Sequence, residues 1–356
     1  MALALDAARR GWGRTAPNPM VGAVLVRDGT VVGVGWHEKY GDDHAEVMAL
    51  MKAGELARGA TMYVTLEPCA HFGKTPPCAN ALVRAGIARV VIAVRDPNPE
   101  ARGGVERLRA AGIKVDIGLM ADDARELNAP FFFSFASRRP WVTLKLALSL
   151  DGGMADAAGR SKWITGVHSR AHVHAMRAGS DAIAVGINTA LADDPWLTVR
   201  DAPAPTMPPA RVIFDRRARL PLDGNLAVTA HKAPTVLVTE YTPPARRQAL
   251  ERVGIEVLEA VSLEEAMLLL RGRGIRALLV EGGRTLAGAL LERSLVDRLV
   301  IFQAPVILGA GALRPFDRMP AGPIAETKPL RVIERKAFGD DLMTVYALQE
   351  LPCSPD

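Results

Sequence analysis

Aromatic residues are scarce, at 5% of the 356 positions. A chain that gripped single-stranded nucleic acid would need stacking aromatics beside a basic groove. No basic track is present either. The net charge is only +5, and Lys and Arg are scattered rather than gathered into runs of five or six. This pattern suits a phosphorylated small molecule better than a nucleic-acid partner. Cysteine is rarer still: three residues, too few for a disulfide framework. Cys353 sits in a Pro/Ser tail and reads as inert, which leaves Cys69 and Cys78 as a pair to be explained. No apolar run approaches the roughly 18 residues that cross a bilayer. Met1 to Arg10 lacks the apolar core and cleavage-type ending of a signal peptide. The expectation is a cytoplasmic chain with no membrane partner.

What is present is enough apolar material, 49% of residues, to fill sizeable cores, and a length that suggests about two domains. The first third alternates strand and helix. Met20 to Arg27 and Val31 to His37 are β-rich and flank Asp28-Gly29-Thr30, a hairpin signal. Helical spacing runs from His44 to Ala57, a strand from Thr61 to Leu66, and a helix from Cys78 to Ala85 ending at Gly86. A buried-type strand, Arg89 to Arg95, stops at Asp96-Pro97-Asn98-Pro99, and Ile113 to Ile117 is a further strand. This is an α/β layered pattern. The regularity breaks from Asn128 to Pro140, where Phe131 to Phe135 read as an inter-domain apolar contact. The expected division is a domain over residues 1–118, a linker over 119–140 and a second domain over 141–352. Strands near Trp141 to Ser149, Asp181 to Gly186, Arg211 to Asp215, Thr235 to Thr239 and Ala277 to Glu281 give the second part its own α/β sheet. Asp297 to Leu308 and Arg331 to Leu348 look like long antiparallel strands.

His44-Ala45-Glu46 opens one helix, Pro68-Cys69 follows a strand, and Cys78 opens the next helix. One imidazole and two thiolates make a three-ligand zinc set that leaves a fourth position for a water activated near neutral pH. A helix N-terminus favours the thiolate at Cys78. Glu46, in the same first turn as His44, is placed to carry a proton from water to the ring nitrogen and the leaving amine. The set matches the H-x-E…P-C-x-x-C pattern of zinc nucleobase deaminases, except that Cys78 lies nine positions after Cys69 instead of three. The competing reading is a closed structural zinc site with His71 as fourth ligand, which leaves Glu46 unexplained.

The strings His44-Ala-Glu-Val and Leu66-Glu-Pro-Cys-Ala-His-Phe-Gly-Lys-Thr-Pro-Pro-Cys78 resemble the deaminase half of the bifunctional riboflavin-biosynthesis deaminase–reductases, as do Asn18-Pro19-Met20-Val21-Gly22 and Asp96-Pro97-Asn98-Pro99. Ser149-Leu150-Asp151-Gly152, Ser161-Lys-Trp-Ile-Thr165, the segment Leu191 to Arg200 and the segment Val280 to Leu290 are similar to the reductase half. The resemblance covers essentially the whole chain. It implies a cytidine-deaminase-like three-layer domain followed by a dihydrofolate-reductase-like α/β domain. The implied reactions are loss of the 2-amino group of 2,5-diamino-6-ribosylamino-4(3H)-pyrimidinone 5′-phosphate, then NADPH-dependent reduction of ribosyl to ribityl. The implied cofactors are one zinc per chain and NADPH, and the implied assembly is a homodimer or homotetramer.

Residue by residue, the resemblance puts substrate on Asn18, His37, His71 and Lys74 in the first half. An amide can read a pyrimidine edge, and a lysine can meet a phosphate. In the second half it puts substrate on Ser161, Arg177, Leu197, Arg200 and Glu281. NADP falls on Ala147, Trp163, Thr189, Asp193, Gly283, Arg284, Thr285, Leu286 and Ala287, where a Gly-Gly turn precedes a helix start suited to phosphate. Lys145 is a candidate proton donor, and Arg216 a candidate for the 2′-phosphate. His168, His172 and His174 have no supporting cysteine or carboxylate and read as a solvated helix face.

Overall fold

The computed structural model describes residues 1–73, 76–316, 319, 323 and 329–351. The chain divides into two compact units, Met1–Ser137 and Arg138–Glu350.

The first unit is a five-stranded sheet between two helical layers. Its strands are β1 (Gly22–Arg27), β2 (Thr30–Trp36), β3 (Thr61–Val64), β4 (Arg89–Ile92) and β5 (Lys114–Ile117), in the order β2-β1-β3-β4-β5. β1 pairs antiparallel with β2 and with β3, while β3, β4 and β5 run parallel. The β1–β2 turn uses Asp28 at φ 49° and Gly29 at φ 78°, the two left-handed residues a tight hairpin demands. On one face lie α2 (Ala45–Ala53), α3 (Cys78–Ala85) and α4 (Gly104–Ala110), whose Ala49, Leu82 and Leu108 join Leu25, Met62 and Val90 in one core. α2 sits unusually close to the sheet. A Cβ on Gly33 or Gly35 would stand 2.3 Å from the Ala49 carbonyl or 2.1 Å from the Ala45 carbonyl. That closeness fixes where His44 and Glu46 emerge.

The other face carries α1 (Ala2–Arg9), α5 (Ala121–Leu127) and α6 (Ala129–Ala136). The stretch expected as a linker, residues 119–140, therefore carries two helices of the first unit. Ala124 and Phe132 pack with Leu5, Leu66, Ala93 and Val94, so Phe132 belongs to this unit's own core. The units do divide within Asn128 to Pro140, but Phe132 and Phe133 are buried in the first unit and are not an inter-domain contact.

The second unit is a nine-stranded mixed sheet. Its strands are β6 (Trp141–Leu148), β7 (Ala182–Gly186), β8 (Ala210–Phe214), β9 (Thr235–Thr239), β10 (Ile255–Glu259), β11 (Ala277–Glu281), β12 (Arg298–Gln303), β13 (Arg331–Phe338) and β14 (Asp341–Ala347). They lie in the order β10-β9-β8-β7-β11-β6-β12-β14-β13. The ladder is parallel from β10 to β12; β14 is antiparallel to both β12 and β13. Helices cover both faces, which is why β9 is buried along its whole length. Leu286 and Leu290 of α12 (Arg284–Glu292) and Met267 and Leu270 of α11 (Leu263–Gly272) pack on Leu144 and Val280. Opposite them, Leu226 and Leu250 pack on Ile183, Ile213 and Leu237.

The antiparallel expectation for the last strands holds on one side of β12, which pairs antiparallel with β14, but its other side runs parallel to β6; Asp297 to Leu308 supplies only this one strand, and Arg331 to Leu348 folds on itself as the β13–β14 hairpin through Gly339 at φ 64°. The edge strand β10 had no counterpart in the sequence reading, because its five residues mix Glu with apolar positions.

Candidate active sites

In the first unit, the chain turns brought together by α2 and α3 place three donors in one cluster. The ligand atoms of His44, Cys69 and Cys78 lie within 4.8 Å of one another. His44 Nδ1 is 3.2 Å from Cys78 Sγ and 3.6 Å from Cys69 Sγ. Zinc bonds of ordinary length at a tetrahedral angle place nitrogen and sulfur about 3.5 Å apart, so the donor set fits a zinc ion. His71 is exposed and, among the described residues, is not part of this cluster, which speaks against a closed four-ligand site.

The two cysteines differ electrostatically: the hydrogen bond to Cys69, together with burial, pushes the Cys78 thiol up, and Cys69 is the thiolate of the pair. Cys69 is pulled down to about 4 by the Cys78 thiol and by His44, and the Cys78 backbone N–H, at the start of α3, points to its sulfur at 3.4 Å. His44 is pushed up to about 9, chiefly by that same sulfur. Glu46 is 3% exposed, and burial raises its carboxyl to about 7.

The cluster opens on a cavity of about 270 Å³ lined by Asn18, His37, His44, Glu46, Cys69 and His71 among others. His37 faces the Asp43 carbonyl with Nδ1 (3.2 Å) and the Asn18 amide with Nε2 (3.2 Å). Burial lowers its pKa, so the ring is neutral: Nδ1–H donates to the carbonyl and Nε2 accepts from Asn18. The Asn18 amide is thereby oriented, its nitrogen toward His37. Asn128 holds the same loop from behind, accepting the Met20 N–H at 2.8 Å and donating to the Met20 carbonyl at 2.9 Å.

In the second unit, a cavity of about 1610 Å³ spans the carboxyl ends of the parallel strands, where open α/β sheets hold ligands. Pockets for one small ligand are typically about 300–1,000 Å³, so this one has room for two molecules. α12 starts at this cavity. Gly283 caps it, and a Cβ there would stand 2.8 Å from Thr189 Oγ1. The first-turn N–H groups of Arg284, Thr285 and Leu286 make an anion cradle. The donor set and the cradle fit a phosphate-bearing cofactor.

Beside it, Arg177 from α7 (Val167–Ala178) grips Glu281 with two hydrogen bonds, one at 2.9 Å, and donates to the Thr198 carbonyl at 2.9 Å. Burial opposes ionisation of Glu281, but the guanidinium outweighs it and holds the carboxyl below its usual range. Lys145, opposite Glu281 across the β6–β11 ladder, is half-buried at the cavity wall, and desolvation lowers its pKa. His174 accepts the Arg200 backbone N–H on Nδ1 at 3.1 Å.

Comparison with known proteins identifies both units. Residues 1–94 match the cytidine and deoxycytidylate deaminase zinc-binding region, and residues 140–342 match the RibD C-terminal domain. The riboflavin biosynthesis protein RibD of Aquifex aeolicus is 44% identical over 348 residues, 97% of each chain. The chain belongs to the RibD family. Its Escherichia coli relative is 44% identical over 327 residues, 88% of each chain. RibD of Acinetobacter baumannii, a solved structure, superposes with a TM-score of 0.84 at 40% identity over 98% of both chains. The Thermotoga maritima diaminohydroxyphosphoribosylaminopyrimidine deaminase/5-amino-6-(5-phosphoribosylamino)uracil reductase gives a TM-score of 0.84 at 35% identity, covering 99% of this chain and 97% of that one. RibD proteins are bifunctional deaminase–reductases of riboflavin biosynthesis, and this chain carries both halves. The fold is accordingly cytidine-deaminase-like in the first unit and of the reductase type in the second. No helix among the described residues is long and apolar enough to cross a membrane.

Against this RibD frame, the expected residues sort cleanly. Lys145, Ala147, Ser161, Trp163, Arg177, Thr189, Asp193, Leu197, Arg200, Arg216, Glu281, Gly283, Arg284, Thr285 and Leu286 all line the larger cavity. Ala287 does not line it; it is fully buried in the core, and its N–H is engaged by the Gly283 carbonyl. Arg216 is exposed and paired with Glu240 at 2.5 Å. Lys74 lies outside the described residues. The reading of the histidines of α7 as a solvated face fails for His174, which lines the larger cavity. Sequence reasoning also passed over Asp96, Asn98 and Phe131, which line the smaller cavity. Asp96 and Asn98 follow the carboxyl end of β4, a ligand-holding position that becomes visible only once β4 is seen to run parallel to its neighbours.

Proposed function

We propose that the first unit holds one zinc ion on His44, Cys69 and Cys78 and removes the 2-amino group of 2,5-diamino-6-ribosylamino-4(3H)-pyrimidinone 5′-phosphate. The second unit then reduces the ribosyl side chain with NADPH, giving 5-amino-6-ribitylamino-uracil 5′-phosphate. The observation that carries this reading is the His44–Cys69–Cys78 cluster beside the buried Glu46, on a chain that also holds the cofactor-sized cavity.

Bound zinc supplies Lewis-acid activation of water near neutral pH. Glu46 is not a ligand; it takes a proton from water and passes protons to the ring nitrogen and the departing amine. Asn18, fixed by His37, reads an edge of the pyrimidine, and His71 and Lys74 meet the ribose phosphate. In the second unit NADPH supplies the hydride. The start of α12, with Gly283 through Leu286, holds a cofactor phosphate; Ala147, Trp163, Thr189 and Asp193 flank it, and Arg216 serves the 2′-phosphate. Ser161, Arg177, Leu197, Arg200 and Glu281 hold substrate, with Lys145 as proton donor. The working form is a soluble cytoplasmic homo-oligomer, as the family resemblance implies.

The test is to supply the diaminopyrimidinone ribosyl phosphate to zinc-loaded protein and record ammonia and absorbance at 340 nm together. Ammonia without NADPH, followed by NADPH oxidation once it is added, is the expected result. Absence of ammonia with zinc bound one per chain would sink the deaminase assignment.

A further inference from the structure

The loop 194–201 lines the larger cavity with no strand or helix to hold it. It is strained: Asp194, Leu197 and Asp201 stand at φ 41°, 46° and 52°, left-handed values that cost residues with side chains free energy. Its conformation therefore rests on side chains from elsewhere. Asn225 Nδ2 donates to the Asp194 carbonyl at 2.8 Å, Arg211 to the Trp196 carbonyl at 3.4 Å and Arg177 to the Thr198 carbonyl at 2.9 Å. The anchor nearest the end of the loop is His174 of α7, whose Nδ1 accepts the Arg200 N–H at 3.1 Å. It differs from the other three in kind. They are permanent donors, whereas a histidine nitrogen accepts only while it is unprotonated.

Arg200 lines the cavity, and its guanidinium has no hydrogen-bond or ion-pair partner among the described residues. Arg177, by contrast, is engaged by Glu281 and Thr198. Of these two arginines, Arg200 is the one left for a phosphate, and its backbone decides where it is aimed. The groups facing His174 pull both ways. Arg177 on its own helix and Arg200 on the loop oppose a further positive charge, while Glu281 on β11 and Asp201 on the loop favour one. Burial, with the two arginines, prevails and lowers the pKa of the ring, so it is neutral near pH 7 with its proton on Nε2. Resting on the reductase reading given above, we propose that His174 is a positioning residue of the second reaction: its unprotonated Nδ1 fixes the backbone at Arg200, and thereby the guanidinium that meets the substrate phosphate. Protonation turns this acceptor into a donor, breaks the bond and loosens the end of the loop, so the grip on substrate weakens in acid.

The test uses the full-length chain and the variants His174→Asn and His174→Leu, with deaminated substrate titrated by calorimetry and by NADPH oxidation. Asparagine can place an oxygen near the Nδ1 position and does not titrate; leucine offers no acceptor. At about pH 7.5, His174→Leu should raise Kd and KM for the substrate roughly 5- to 20-fold, the range for one hydrogen bond, with kcat and KM for NADPH unchanged. His174→Asn should stay within about twofold of the parent there. Toward about pH 5.5 the parent should lose affinity more steeply than His174→Asn, because the second ionisation of the phosphate, near pH 6, is common to both. In an Arg200→Met background His174→Leu should cost little more, since it acts through Arg200. The proposal is overturned if His174→Asn binds as weakly as His174→Leu, if parent and His174→Asn share one pH profile, or if the two losses add in the double variant. A fall in kcat with KM unchanged also overturns it, because the ring would then belong to the chemistry. Should the leucine variant fail to fold, the comparison of the parent with His174→Asn across pH still decides. A parent chain that neither binds nor reduces the deaminated compound would strike the reductase reading itself, and this proposal with it.

Discussion

The smaller cavity, about 270 Å³, closes around buried groups from the starts of two helices; the larger, about 1610 Å³, runs along the carboxyl ends of parallel strands. The first depends on side-chain identity at a few positions. No other residue replaces two thiolates, an imidazole and a buried carboxylate. The second depends on backbone and shape: a glycine turn, a helix start, and an ion pair between Arg177 and Glu281. A centre of fixed donors fails all at once when one donor is lost, whereas a long groove degrades by degrees.

The sharpest break in that comparison comes from removing the metal. A chelator, or Cys78→Ser, should abolish ammonia release while NADPH oxidation on supplied deaminated substrate continues, since no residue of the larger cavity belongs to the His44–Cys69–Cys78 cluster. Reductase activity lost in parallel would show that the two centres are not separable. Next in size, Glu46→Gln should lower kcat for deamination by about 10²- to 10⁴-fold, the usual range for a general acid–base, with zinc content retained by metal analysis.

In the groove the effects are smaller. Arg177→Met strands the Glu281 carboxylate, which is 14% exposed, and should cost about 3–5 kcal/mol of second-unit stability in denaturant titration. The same pair has a pH signature. Glu281 sits below its usual range, so its stabilising contribution is complete above the unfolded value of about 4.3. It is lost as pH falls through the lower folded value, and Glu281→Gln should flatten that acid limb. The smallest effect is expected for Gly283→Ala, whose methyl would crowd Thr189 Oγ1. KM for NADPH should rise about tenfold, a cost of about 1.4 kcal/mol, with ammonia release untouched. An unchanged KM would remove Gly283 from the cofactor cradle.

The metal cluster was readable because its cysteines are rare, three in all with two of them here, and because His44 and Cys78 sit at recognisable helix starts while Cys69 follows a strand. Asp96 was not read as a site residue, because nothing in a local Asp-Pro-Asn-Pro turn says that one carboxylate oxygen will be used in the turn and the other will face a cavity. The same limit explains His174. Its position on α7 looked like a solvated face until the loop ending in Arg200 folded back on it, 26 positions away. The stretch holding the Phe cluster does contain the division between the units, but Phe132 packs in the first unit's own core and not between domains: an apolar cluster shows that something will be buried, not against what.

By itself the sequence determined the donor set, the alternation of strand and helix, and the absence of an apolar run able to cross a membrane. Residue chemistry and hydrophobic period are local properties and survive without coordinates. Only the tertiary structure decided which face of α7 meets the groove, that Ala287 is core while Gly283 is cradle, and that β12 joins a parallel ladder. These depend on burial between segments up to 155 positions apart, as where Asp297 accepts the Val142 N–H, and no local pattern encodes such a pairing.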